Sequence, residues 1–113
     1  MKMQDFMNIV VKIRLEHCKD LLGSVKDAEY TRNDDKFYNF KEAARIRKTT
    51  KWEEWDGMFM KHMVSLFDII DDLKKYNKLP SHAMINENFG DVINYLLLLE
   101  GMIYEEWEDM KGN

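Results

Sequence analysis

The stretch Ile85–Tyr104, INENFGDVINYLLLLEGMIY, decides the fold. From Val92 to Leu99 it is apolar in almost every direction of a helical projection, and a helix apolar all round has to be wrapped by protein or lipid. Its uninterrupted run, Tyr95 to Leu99, is far too short to span a bilayer, which takes about 20 apolar residues. The stretch is therefore predicted to be the central helix of an all-α, four-helix bundle-like domain. Its few polar residues then stand out. Glu87, Asp91 and Asn94 fall at i, i+4 and i+7, on one stripe of the helix, and a buried polar stripe needs partners or ligands.

Working outward, the segment before this helix, Asn77 to Ser81, contains the only Pro and breaks the chain, and Ser81 can cap the final helix. Upstream of it, Thr50-Lys51-Trp52-Glu53 is a capping box, so a long helix is predicted from there to about Tyr76. Its buried face is Trp55, Phe59, Met63, Leu66, Ile70 and Leu73. Lys61, Ser65, Asp68 and Asp72 form a second polar stripe that mirrors the one on the last helix.

Still further upstream, Asp34 or Asp35 can cap a helix DKFYNFKEAARIRK whose Phe37, Phe40, Ala44 and Ile46 pack inward. Arg45, Arg47, Lys48 and Lys51 cluster near its C-terminal end, where cations favour the helix dipole or attract a phosphate. The segment Val25 to Asp35 reads as a loop. The first helix is predicted from about Asp5 to Leu22, with Phe6, Ile9, Val10, Ile13 and Leu21 as its apolar stripe and Gly23 ending it. The C-terminal run EEWEDMKGN reads as a solvated, fraying helix end.

Composition fits one compact domain over residues 1–113, with 45% hydrophobic and 34% charged residues. A net charge of -4 disfavours a duplex nucleic-acid binder driven by phosphate neutralisation. Cys18 is alone, which argues against a disulfide framework or a Cys-based metal site. The N-terminus mixes charges into its apolar residues and lacks the apolar core of a secretory signal, so a cytoplasmic protein is expected, with no membrane partner. Nine Met with six Phe, five Tyr and three Trp give a bulky core and a surface suited to a homo-oligomer.

If the last two helices face each other, their polar stripes meet and bring Asp68, Glu87 and Asp91 together with Lys61, Ser65 and Asn94. Carboxylates so placed repel unless a proton, a Lys or a divalent cation sits among them, and Mg2+ suits an oxygen site to which phosphate adds ligands. Structural readings stand beside this one. Lys61 and Asp68 can form an internal ion pair, Asn94 can cross-link helices by hydrogen bonds, and His62, about 100° round the helix from Lys61, can be a packed residue.

Asp68 and Asp71, then fifteen residues, then Glu87 and Asp91, is a pattern similar to the paired acidic motifs of the all-α nucleoside triphosphate pyrophosphatases, the MazG and dimeric dUTPase group. The chain differs from that pattern in having Asp in the first pair and Asn88 where the second pair has Glu. Over residues 20 to 104, KDAEYTRNDDKFYNF, GMFMKHMVSLFDII and ENFGDVINYLLLL also resemble small phage and prophage proteins associated with that superfamily. Lys26, Glu29, Tyr30, Asn39, Phe40, Lys61, His62, Asp68, Glu87, Asp91, Asn94 and Tyr95 carry this resemblance. It implies metal ligation by Asp68, Glu87 and Asp91, catalytic roles for Lys61, Glu87 and Asp91, and nucleotide contacts from Lys26, Glu29, Asn39, Lys61, Asn94 and Tyr95. Three functions stay open: a Mg2+-dependent nucleotide hydrolase, a binder that sequesters a nucleotide signal, and a module that inhibits a host defence complex, acting in the host cytoplasm if phage-encoded.

Overall fold

The computed structural model of the chain describes residues 1–23 and 35–112, and among these it is all-α, with no β-strand. Four helical stretches form it: α1 over residues 3–22, α2 Tyr38–Arg47, α3 Lys51–Tyr76 and α4 His82–Lys111. Of the loop expected over Val25 to Asp35, all but Asp35 lies outside the described residues.

Local chemistry sets the helix ends. Thr50 caps α3 by accepting a hydrogen bond from the Glu53 amide, and Ser81 caps α4 by accepting from the Met84 amide. Asn77 closes α3 in the left-handed region at φ 50°, a conformation that Asn tolerates. Asp35 lies three residues before α2 and accepts from the Phe37 amide, which fixes the turn into that helix. Within α1, residues Phe6–Val11 form wide π turns, coincident with the β-branched run Ile9, Val10 and Val11.

Helix α4 is the spine. The Lys51 ammonium pairs with Glu106, and the Trp55 indole N–H donates to the Tyr95 carbonyl at 2.8 Å, so α3 runs antiparallel to α4. The other two helices run parallel to it. Phe37 meets Gly101 and Lys41 reaches Glu105 at 2.7 Å, which places α2 along the C-terminal half of α4. Arg14 donates to the Asn86 side chain at 2.8 Å and Cys18 sits under the Gly90 carbonyl, which places α1 on the N-terminal half. The core lies where α2, α3 and α4 meet, around Phe40, Trp55 and Met102, with Tyr95, Leu98 and Leu99 packed against it.

Three packing expectations are corrected. The stripe Phe6, Ile9, Val10, Ile13 and Leu21 of α1 is exposed, because α1 meets α4 through Arg14, His17 and Cys18 instead. Arg14 lies in that packing row because its guanidinium finds Asn86, a pairing that hydrophobic periodicity cannot register. Ile46 points to solvent at 64% exposure. Helix α4 is wrapped on one side only: Phe89, Leu96, Leu97 and Ile103 remain exposed on the other.

The basic cluster after α2 is largely consumed by carboxylates. Arg45 pairs with Glu42 at 2.5 Å, Arg47 approaches the buried Glu54 at 3.7 Å, and Lys51 pairs with Glu106. Glu54 also accepts from the Thr49 hydroxyl at 2.7 Å. The acidic tail, expected to fray in solvent, is helical to Lys111 and is tied down by the Glu105 and Glu106 pairs.

Candidate functional site

Helices α3 and α4 pack through Trp55, Met58, Phe59 and His62 on one side and Asp91, Tyr95, Leu98, Leu99 and Met102 on the other. Polar groups concentrate near the middle of α3. His62 Nδ1 lies 3.4 Å from Asp91 Oδ2, and the imidazole packs on the Tyr95 ring with centroids 4.7 Å apart. The Tyr95 hydroxyl in turn donates to Met58 Sδ at 3.8 Å. Asn94 lies between the contacts of α4 with α1 and with α3, three residues after Asp91 and four after Gly90. It is buried, and its Oδ1 has no hydrogen-bond partner. A buried acceptor left unpaired costs free energy that a ligand or water donor would recover.

Electrostatics follow from this packing. Burial pushes the Asp91 carboxyl above its usual range; His62 works against that rise and Glu87, one turn away, adds to it. Burial likewise raises the Tyr95 phenol, with the Asp91 charge contributing. When Asp91 accepts from Nδ1–H, His62 Nε2 is an acceptor on the neutral ring and a donor on the charged ring. The arrangement can therefore hold a proton between a carboxylate and an imidazole and present hydrogen-bonding groups to a small polar ligand.

The sequence-predicted site is brought together in part. Asp91 and Tyr95 lie at the α3/α4 contact and Asn94 is buried between that contact and the one with α1, with Glu87 exposed one turn before Asp91. Lys61 and Asp68 lie on the exposed side of α3, and neither makes a side-chain hydrogen bond or ion pair among the described residues. Asn39 is exposed in the first turn of α2. Lys26 and Glu29 lie outside the described residues. Among the described residues no group of three or more His, Cys, Asp or Glu side chains is placed to hold a metal ion.

His62 is the packed residue its position implied: the 100° that turns Lys61 to solvent turns His62 into the helix contact, onto Tyr95 and Asp91. Comparison with known protein families, curated proteins and solved structures returned no match.

Proposed function

We propose that the chain binds a nucleotide or a nucleotide-derived phosphate compound through His62, Asp91, Asn94 and Tyr95, around the α3/α4 contact. The observation that carries this reading is the buried, unpartnered Asn94 Oδ1, three residues along α4 from Asp91, whose carboxylate meets His62. An amino group of a base can donate to such an oxygen, and a protonated His62 can meet a phosphate. The resemblance to the all-α pyrophosphatases supports the same ligand class and adds Lys61, Asn39, Lys26 and Glu29 as contacts.

Mg2+-dependent cleavage between the α and β phosphates, which the resemblance also implies, needs carboxylates that converge. Asp68 lies on the exposed side of α3, away from the His62 face that meets α4, so hydrolysis is not assigned to this set. A thermal-shift and product screen over nucleoside triphosphates, with and without Mg2+, tests the reading. A rise in melting temperature with one nucleotide and no turnover supports sequestration. Turnover supports the hydrolase. Silence throughout removes nucleotide binding.

A protein-binding module, such as an inhibitor of a host defence complex, is the second reading. It is favoured by the exposed aromatic pair Tyr104 and Trp107, whose rings meet edge to face at 5.1 Å on the free side of α4.

A further inference from the structure

Helix α1 runs parallel to α4 and is held to it by Arg14, His17 and Cys18. Arg14 stands beside Asn86, one turn into α4, so the residues before Val10 project about 13 Å past the α4 N-terminus at 1.5 Å per residue. Every residue of that projection is exposed. Met3, Phe6, Met7, Ile9, Val10 and Ile13 are apolar and open to solvent, Met3 at 75% and Ile9 at 56%. The α3–α4 turn lies at the same end of the molecule, because α3 is antiparallel to α4. It adds Tyr76 and Leu79, exposed at 72% and 79%, and the exposed lysines Lys74, Lys75 and Lys78.

We propose that this end of the molecule lies on the surface of a bilayer rich in anionic lipid, the apolar face of α1 and Leu79 entering the headgroup boundary and the lysines meeting lipid phosphates. Two observations choose that occupant. The first is charge. Lys2, Lys12, Arg14, Lys74, Lys75 and Lys78 stand here against Asp5, with Asp71 and Asp72 a turn further up α3, in a chain whose net charge is -4. None of the five lysines makes an ion pair among the described residues, and Arg14 donates only to neutral oxygens of Asn86 and to the His17 ring. Their charge is left for an anionic surface, where each Lys or Arg strengthens binding about fivefold.

The second observation is the width of the apolar face. A partner helix covers a narrow seam of positions three and four apart. Met3, Phe6, Met7, Ile9, Val10 and Ile13 instead spread over about half the circumference of α1 at 100° per residue, and a helix lying in the interface plane buries a whole apolar face of that kind. The expectation of no membrane partner rested on the lack of a signal-like or spanning run, and an interfacial helix needs neither. This inference is independent of the nucleotide reading, which uses no residue of this end.

Co-sedimentation of the whole chain with lipid vesicles tests it. The chain is expected to pellet with vesicles of equal parts phosphatidylcholine and phosphatidylglycerol. On phosphatidylcholine alone binding is expected to fall roughly 100-fold, about fivefold for each of three lysines. Phe6→Gln combined with Ile9→Gln is expected to abolish binding with unchanged helical circular dichroism, since both side chains are exposed within the chain. Lys74→Glu, Lys75→Glu and Lys78→Glu together are expected to remove the preference for phosphatidylglycerol while leaving α1 untouched. Leu96→Gln, at an exposed apolar position of α4 away from this end, is expected to bind as the wild type does. No pelleting with either vesicle, equal binding to both, or undiminished binding of the Phe6 and Ile9 variant or of the lysine variant overturns the proposal.

Discussion

Gly57 and Gly101 both lie inside helices, yet a methyl group added to each meets a different neighbourhood. A Cβ on Gly57 has nothing within 4 Å, whereas one on Gly101 comes to 2.7 Å from Phe37 Cζ. Gly57→Ala should therefore raise stability by ~0.5–1 kcal/mol, the helix-propensity gain. Gly101→Ala gains the same propensity but forces the Phe37 ring out of its seat, an overpacking cost of about 1–3 kcal/mol, so it should be destabilising. Chemical denaturation of both variants checks the opposite signs, and equal effects would refute the α2–α4 contact. Asp91 is legible in sequence as a polar residue on an apolar helix, but its partner is not. Burial raises its carboxyl pKa, so the folded state holds that proton more tightly than the unfolded state, and the charged form opposes folding above the raised value. Asp91→Asn should therefore be at least as stable as the wild type at neutral pH. That advantage should shrink as pH falls through the raised pKa, and a melting series over pH reads it directly.

At the scale of elements, helix starts were legible at α3 and α4, where caps are written locally, but not at α2, whose N-cap is Phe37 and not the expected Asp35. Thr50 and Ser81 each accept the hydrogen bond their position implies, and Thr50→Ala should cost about 1 kcal/mol. Which face each helix buries was less legible. Leu73 of α3 and the Phe6 to Ile13 stripe of α1 are apolar and exposed, while Arg14 and Glu54 are drawn inward by specific polar partners. Periodicity reports where apolar groups lie on a helix; it does not report whether another element arrives to cover them. The acidic end of α4 shows the converse. Glu105 reads as solvated from its neighbours in sequence, yet it shares Lys41 with Asp35, at 2.7 Å and 2.8 Å. Burial raises the Asp35 pKa, but the Lys41 bond and the Phe37 amide outweigh it, and the net value is lowered. A lowered carboxyl pKa contributes stability that is present above the unfolded value, near 3.9, and is lost as pH falls through the folded value. Asp35→Asn should consequently melt lower than the wild type at neutral pH, with the gap closing in acid. A gap that persists in acid would mean that the ion pair with Lys41 is not what the substitution removes.

At the scale of the whole molecule, the chain is open. Its radius of gyration is 16.8 Å and its long axis 51 Å, against about 13 Å expected for the radius of a compact domain of this length. The all-α class followed from one helical stretch with no competing β pattern. The openness did not, because the same apolar residues suit a buried core or a face awaiting a partner. Among the described residues no helix is long and apolar enough to cross a membrane. In sequence the polar residues of α4, Asp91 and Asn94, stood out on an apolar helix; on α3 the structure turns Lys61 to solvent and His62, one position on, against Asp91. The proposed nucleotide site is His62, Asp91, Asn94 and Tyr95. The most direct measurement is a 1H–15N NMR titration of the chain with nucleoside triphosphates. The expected result is saturable movement of the Asn94 side-chain amide together with the backbone amides of His62, Asp91 and Tyr95, abolished in Asp91→Ala, which should remain folded. Resonances that stay fixed at saturating nucleotide, or that move equally in Asp91→Ala, would contradict it.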